Sequence, residues 1–315
     1  MNRKAFIVGI KGYKLTSEEK FFIKKNKPWG IILFSRNIKN FNQLKKLIHQ
    51  IKIIFNDKKY PILIDQEGGR ISRLNNILDF SLFSQKYFGD LYINNKKNFI
   101  KYYEIYIKST SSLLKNLGVN INTVPVLDVL GNKKNHVIGD RAFSNNRKDV
   151  AFLGKQCIKL YNKNNIGTVI KHIPGHGSTY LDSHFYLPIN NKSIRDLKIK
   201  DFHPFKNCNS FFAMTAHVVY KKIDPIFTAT HSKIIIENII RKYMKFKGLL
   251  ISDDISMKAL NHGLKRNTTL ALDAGCNLIL HCNGNIKEMK EIAKIVPKVD
   301  KFILKKTSQF YNFLR

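Results

Sequence analysis

Short apolar runs alternate along the chain with longer stretches in which apolar residues recur every three to four positions. Eight runs have the length and make-up of strands: Ala5 to Ile10, Gly30 to Phe34, Pro61 to Ile64, Asn120 to Pro125, Thr168 to His172, Phe211 to His217, Gly248 to Ser252 and Asn277 to His281. Between them fall helical patterns such as Phe41 to Phe55, Asn98 to Leu117, Asp149 to Asn162, Ser232 to Tyr243 and Ile286 to Ile295. Ser17-Glu18-Glu19 and Ser232 read as helix openings, and Asn132 to Asn135 and Ser144 to Arg147 as polar loops. Strand then helix, repeated, predicts a parallel sheet, since a parallel neighbour is reached only by a long crossover. Eight such units, with no GxGxxG or phosphate-loop pattern after any strand, predict an α/β fold, a single (β/α)8 TIM-type barrel over residues 1–315 without linker or repeat.

Composition narrows the class. With 43% hydrophobic and 11% aromatic residues the chain is too apolar to be disordered, and 17 Gly with 8 Pro exclude collagen-like or low-complexity sequence. No apolar run approaches the ~18 residues that would span a bilayer. The segment Ala5 to Ile10 is interrupted by Lys11, so neither a membrane partner nor a secretory signal is expected and the cytoplasm is the expected compartment. Cys157, Cys208, Cys276 and Cys282 show no CxxC or Cys/His ligand spacing, which predicts reduced, mostly buried thiols rather than a disulfide scaffold or zinc module.

The formal net charge of +33, from 55 Lys plus Arg against 22 Asp plus Glu, is of the kind that accompanies nucleic-acid binding. Lys outnumbers Arg 45 to 10, however, and Asn and Ile are abundant too, all residues of A/T-rich codons. The composition therefore favours drift over selected polyanion binding, and pairs such as Lys305-Lys306 are expected on a solvated face.

In a barrel the chemistry collects at the C-terminal ends of the strands, where the loops converge. Three segments place reactive side chains there. In Tyr60 to Arg70 an apolar strand runs into Asp65 and then two glycines; Asp65 and Arg73 can hold a hydroxylated ligand, or Asp65 can cap the loop while Arg70 or Arg73 pairs with a surface acid. Val169 to Gly177, followed by Asp182-Ser183-His184, gathers three histidines, a lysine and an aspartate around Gly175 and Gly177, which suggest a loop able to move. Asp182 can orient His184 as a general acid/base; a metal site and a structural histidine cluster are the alternatives, though no HxH or HExxH spacing supports a metal cage. In Gly248 to Met257 a strand ends in Asp253-Asp254, and alternation along a strand predicts one carboxylate in the barrel mouth and one turned away.

Four motifs, IDQEGGRISR (Ile64 to Arg73), IGDRAF (Ile138 to Phe143), KHIPGHG with DSH (Lys171 to His184) and SDDISM (Ser252 to Met257), resemble glycoside hydrolase family 3. The likeness is strongest to its bacterial β-N-acetylglucosaminidases of cell-wall recycling. It runs from Gly30-Ile-Ile-Leu-Phe-Ser-Arg-Asn37 to Leu272-Asp-Ala-Gly-Cys-Asn-Leu-Ile-Leu280, with the motifs in family order. It departs only mildly, with Ile173 and Ile255 where Phe and Leu are expected, and the chain ends soon after the barrel, which favours a compact exo-acting form over a β-glucosidase.

The resemblance implies a (β/α)8 barrel and a retaining mechanism without metal or organic cofactor. Asp253 would be the nucleophile, with Asp254 supportive, and His184, assisted by Asp182, the acid/base. Asp65, Arg73, Arg141, Lys171 and His172 would hold the sugar. The expected reaction is release of terminal β-linked N-acetylglucosamine from a small carbohydrate partner, anhydromuramyl muropeptides. Transfer of the sugar to phosphate is a competing reading, because a histidine acid/base repels an incoming anion less than a carboxylate does. A basic nucleic-acid-binding protein on an inactive barrel is a third, opposed by the intact Asp253, Asp182 and His184.

Overall fold

Each of the eight apolar runs contributes a strand in the computed structural model, which describes residues 2–131, 137–179, 181, 183 and 185–314. The strands are β1 (Lys4–Val8), β2 (Pro28–Leu33), β3 (Ile62–Ile64), β4 (Ile121–Asn122), β5 (Gly167–Ile173), β6 (Phe212–Thr215), β7 (Leu249–Asp254) and β8 (Leu278–His281). They close into a parallel barrel in the order β1-β8-β7-β6-β5-β4-β3-β2, with Phe6 registered against Ile279 at the seam. The strands read as continuous apolar runs because both their faces are buried, one by the barrel interior and one by the surrounding helices. β4 is shorter than its run, since Pro125 has no amide hydrogen for the ladder.

Helices Phe41–Phe55 and Ile286–Ile295 have the predicted ends, and Lys96–Leu117 and Arg147–Lys163 extend theirs by a residue or two. Thr16 rather than Ser17 opens helix Ser17–Asn26: its hydroxyl accepts the Glu19 amide while the Glu19 carboxylate accepts the Thr16 amide. The segment expected as an ordinary helix from Ser232 is a π-helix over Ile235–Tyr243, which turns Ile235, Ile236, Ile239 and Ile240 inward. Helices Gln85–Asn94, Leu264–Ala274 and Lys301–Phe313 complete the picture of the outer layer. Asn132 to Asn135 lie outside the described residues.

The barrel interior is a separate apolar core, including Trp29, Leu63, Val169, Phe212, Leu249 and Leu278. Helix Lys301–Phe313 seals its N-terminal end. Phe310 packs edge-on against Phe212, Trp29 Nε1 donates to Thr307 Oγ1 at 2.9 Å, and a side chain at Gly167 would strike the Phe310 ring. With that end plugged, the other rim is left open for chemistry. Cys157, Cys208 and Cys276 are buried, Cys282 is half-buried, and all four are free thiols; no described helix is long and apolar enough to cross a membrane.

Candidate active site

A cavity of about 150 Å³ opens at the C-terminal rim, and its described lining includes Asp65, Arg73, Arg141, Lys171, His172, Asp253 and Asp254. In the circular strand order β3 and β7 stand diametrically opposite, with β5 midway. Asp65, just past β3, therefore faces Asp253 at the end of β7 across the mouth, with Lys171 and His172 of β5 between them.

The β3 side is a buried ion cluster. Arg73 reaches Asp65 at 2.6 Å, Thr123 Oγ1 donates to the other Asp65 oxygen at 2.7 Å, and Lys171 pairs with Asp65 as well. Lys171 also lies 2.6 Å from Glu67, whose two oxygens accept a fork from Arg141 Nε and Nη2 at 2.8 Å each. Burial alone would raise the Asp65 carboxyl, but Lys171 and Arg73 outweigh it and hold Asp65 well below the usual carboxylate range. Burial acts on Glu67 in the same sense and is overcome by Arg141 and Lys171, so Glu67 too is held low. Burial would lower the Arg141 guanidinium, yet Glu67 raises it. Arg141 is thus held as a cation, and both it and Lys171 line the cavity wall. Arg70, by contrast, pairs with Asp140 on the surface at 2.7 Å, the structural alternative left open for it.

His172 Nδ1 lies 2.7 Å from Asp128, which is fully buried and also accepts the His176 amide at 2.6 Å. Burial pushes the second histidine of the segment, His176, down to about 4, so it is neutral near pH 7. Glu67 and Asp128 are the two functional candidates that the sequence analysis missed. Glu67 was inside a quoted motif. Asp128 carried a usable signal, a lone acid in the otherwise apolar stretch Val124 to Leu130 of a chain with only 22 acids.

On the β7 side both Asp253 and Asp254 border the cavity. Their environments still separate them. Asp254 Oδ1 accepts the Ser256 amide at 3.2 Å, the Ser256 hydroxyl at 2.9 Å and the Cys282 amide at 3.2 Å, so this carboxylate braces two loops. Asp253 accepts the Asp254 amide at 2.8 Å and remains half-buried at the cavity wall.

Gly175 and Gly177 are closely packed against neighbouring backbone. A Cβ at Gly177 would lie 1.9 Å from the Val129 carbonyl, and Gly175, at φ 138°, would meet the Asp201 carbonyl at 2.8 Å. These glycines permit close packing at the root of the loop. Asp182 and His184 lie outside the described residues; Ser183, between them, lines the cavity. No group of three or more His, Cys, Asp or Glu able to hold a metal occurs among the described residues.

Residues 5–307 match the glycosyl hydrolase family 3 N-terminal domain. A β-hexosaminidase from Shewanella frigidimarina is 33% identical over 290 residues, covering 89% of this chain and 82% of its own. NagZ from Neisseria gonorrhoeae, solved in complex with N-trifluoroacetyl-D-glucosamine, superposes with a TM-score of 0.84 at 29% identity, over 100% of this chain and 91% of its own. A family 3 β-N-acetylglucosaminidase from Paenibacillus superposes with a TM-score of 0.86 at 26% identity, over 98% of this chain and 60% of the longer enzyme. A closed parallel barrel, ionised groups gathered at its C-terminal rim and a match over nearly the whole length lead to one assignment: the chain belongs to glycosyl hydrolase family 3 and is a glycoside hydrolase.

Proposed function

We propose that the protein is a retaining exo-β-N-acetylglucosaminidase that removes terminal β-linked N-acetylglucosamine from anhydromuramyl muropeptides in the cytoplasm, within peptidoglycan recycling. The observation that carries this reading is the cavity in which Asp253 faces Asp65, Arg73, Arg141, Lys171 and His172. Fixed donors on Arg73, Arg141 and Lys171 and acceptors on Asp65 and His172 suit hydroxyls and an amide carbonyl. The β-hexosaminidase relatives support the sugar class.

In the first step a carboxylate oxygen of Asp253 attacks the anomeric carbon while the bond to the aglycone oxygen breaks and His184 supplies that oxygen's proton. In the second, His184 takes a proton from water, the water oxygen bonds to the anomeric carbon and the Asp253 ester bond breaks, so configuration is retained. Asp182 would orient His184. Two carboxylates carry this chemistry in most glycosidases; here only Asp253 is an acid and the proton carrier is an imidazole.

The test is to incubate the pure protein with 4-nitrophenyl β-N-acetylglucosaminide and with an anhydromuramyl muropeptide and to identify products by mass. Free N-acetylglucosamine from both, unchanged when inorganic phosphate is added, is expected. A sugar 1-phosphate would establish the transferase reading instead, and no sugar release would overturn the proposal.

A further inference from the structure

We infer that Asp128 is a positioning residue: it fixes the tautomer of His172 and ties that ring to the root of the loop that leads to Asp182 and His184. The inference rests on the proposed function only for its kinetic arm. Asp128 is fully buried, past the end of β4 and away from the cavity lining, so it does not touch a ligand. Its two oxygens are nevertheless committed in opposite directions. Oδ2 lies 2.7 Å from His172 Nδ1, and Oδ1 accepts the His176 backbone amide at 2.6 Å. Burial would favour the neutral acid, but His172 and His176 hold the group ionised, so it offers acceptors only.

Two consequences follow from elementary hydrogen-bond chemistry. A proton shared with Asp128 on Nδ1 selects the Nδ1–H tautomer, in which Nε2 presents a lone pair toward the cavity. Arg141 Nη2, a pure donor, stands 3.4 Å from that Nε2, which is compatible with a lone pair and opposed to an N–H. In addition, the His176 amide fixes the chain where it leaves β5. Gly177 is packed on the Val129 carbonyl one residue beyond Asp128, and the Gly175 carbonyl accepts the Tyr220 hydroxyl. One carboxylate thus sets both the acceptor offered to the sugar and the origin of the following loop.

Asp128→Asn keeps the shape and removes one acceptor. Its NH2 must face either the His176 N–H or His172 Nδ1. The second arrangement forces the proton onto Nε2, where it points at the Arg141 guanidinium. Two-bond 1H–15N correlation spectra of 15N-histidine-labelled protein without ligand read the tautomer directly, His172 being assigned by its disappearance in His172→Asn. The expected result is Nδ1–H in the wild type and Nε2–H or a mixture in Asp128→Asn. On the aryl glycoside, KM in Asp128→Asn should rise on the order of 10-fold or more, with a smaller fall in kcat, as when a buried donor is left facing a donor and the lost contact is made in both ground and transition states.

A double-mutant cycle separates positioning from general structural support. In the His172→Asn background, adding Asp128→Asn should raise KM by clearly less than it does in the wild type, because the ring is gone and only the His176 anchor remains to be disturbed. Additive losses in the cycle, or an Nε2–H tautomer in the wild type, would overturn the inference; the wild-type spectrum decides even where a variant fails to fold. If the wild type cleaves no N-acetylglucosaminide, the proposed function falls, while the spectra on the unliganded protein still decide the role of Asp128.

Discussion

Glu67→Gln isolates the contribution of the buried ion cluster. Asp65, Glu67 and Asp128 balance Arg73, Arg141 and Lys171 in formal charge, and the amide removes one negative charge from beneath Arg141 and Lys171 while keeping the volume. The Glu67 side chain is 1% exposed and those of Arg141 and Lys171 are 11% and 2% exposed, so solvent cannot replace what is lost. Breaking a buried pair by neutralising one partner costs about 3–5 kcal/mol. At roughly 2.1 cal/mol/K per residue, 315 residues give an unfolding entropy of about 0.66 kcal/mol/K, so Tm should fall by about 5–8 °C. Glu104→Gln is the control: its pair with Lys163 is 48% and 70% exposed on the two sides, and its loss should move Tm by less than about 1 °C. The pH dependence gives a second, independent reading. Because Glu67 is held below its ordinary value of 4.5 in the folded state, its stabilisation is complete above that value and is lost as pH falls through the lower folded value. Melting curves followed by circular dichroism should therefore show the full gap between wild type and Glu67→Gln at pH 7, closing in acid below the usual glutamate range. Equal Tm values for Glu67→Gln and Glu104→Gln at pH 7, or a gap that widens in acid, would refute the argument.

Asp253→Asn should abolish turnover with Tm nearly unchanged, and a 2-fluoro sugar with a reactive leaving group should add its mass to the peptide containing Asp253; labelling at Asp65 would reverse the assignment. Asp254→Ala should instead lower stability by about 1–2 kcal/mol in urea unfolding, since it removes the Oδ1 acceptor from the Ser256 and Cys282 amides, and slow turnover less than Asp253→Asn does. His184→Ala should give a burst of phenol from an activated aryl glycoside followed by a slow steady rate, with azide restoring turnover and yielding the β-glycosyl azide; equal losses on activated and natural substrates with no azide product would remove the acid/base role, whose usual worth is on the order of 10²- to 10⁴-fold. If the charge of +33 is compositional drift, binding to DNA measured by fluorescence anisotropy should be weak, sequence-independent and lost as salt rises, and tight binding at physiological salt would refute drift.

What the sequence revealed and what it concealed have separate physical causes. The eight strands were legible because a parallel barrel buries both faces of each one, and the resulting apolar runs end where polar residues begin, at Asp65, Lys171 and Asp253. Helix Ser17–Asn26 announced itself through local capping chemistry, but Lys301–Phe313 did not, since its role depends on contacts with Trp29 and Phe212 far back in the chain. The same distance hid Glu67 and Asp128. Glu67 meets Arg141 across 74 positions and Asp128 meets His172 across 44, and no local pattern encodes which buried acid lies next to which base. Gly175 and Gly177 show a related limit: a glycine signals absent side-chain volume, and only the neighbours Val129 and Asp201 reveal that the space is filled by backbone.

Trp29 is the sole tryptophan, buried beneath helix Lys301–Phe313 at the end of the barrel remote from the cavity. During synthesis the indole emerges early; its ring neighbour Phe212 follows some 180 residues later and its hydrogen-bond partner Thr307 some 280 residues later, in helix Lys301–Phe313. Strand β1 likewise waits for β8 before the sheet can close. Tryptophan emission is therefore a clock for the final act of folding: a nascent chain released before residue 301 should emit at the wavelength of hydrated indole, and the blue shift should arrive with the last helix. Sugar binding at the opposite rim should leave that emission unchanged, so one optical signal reports completion of the fold without confusion from occupancy of the site.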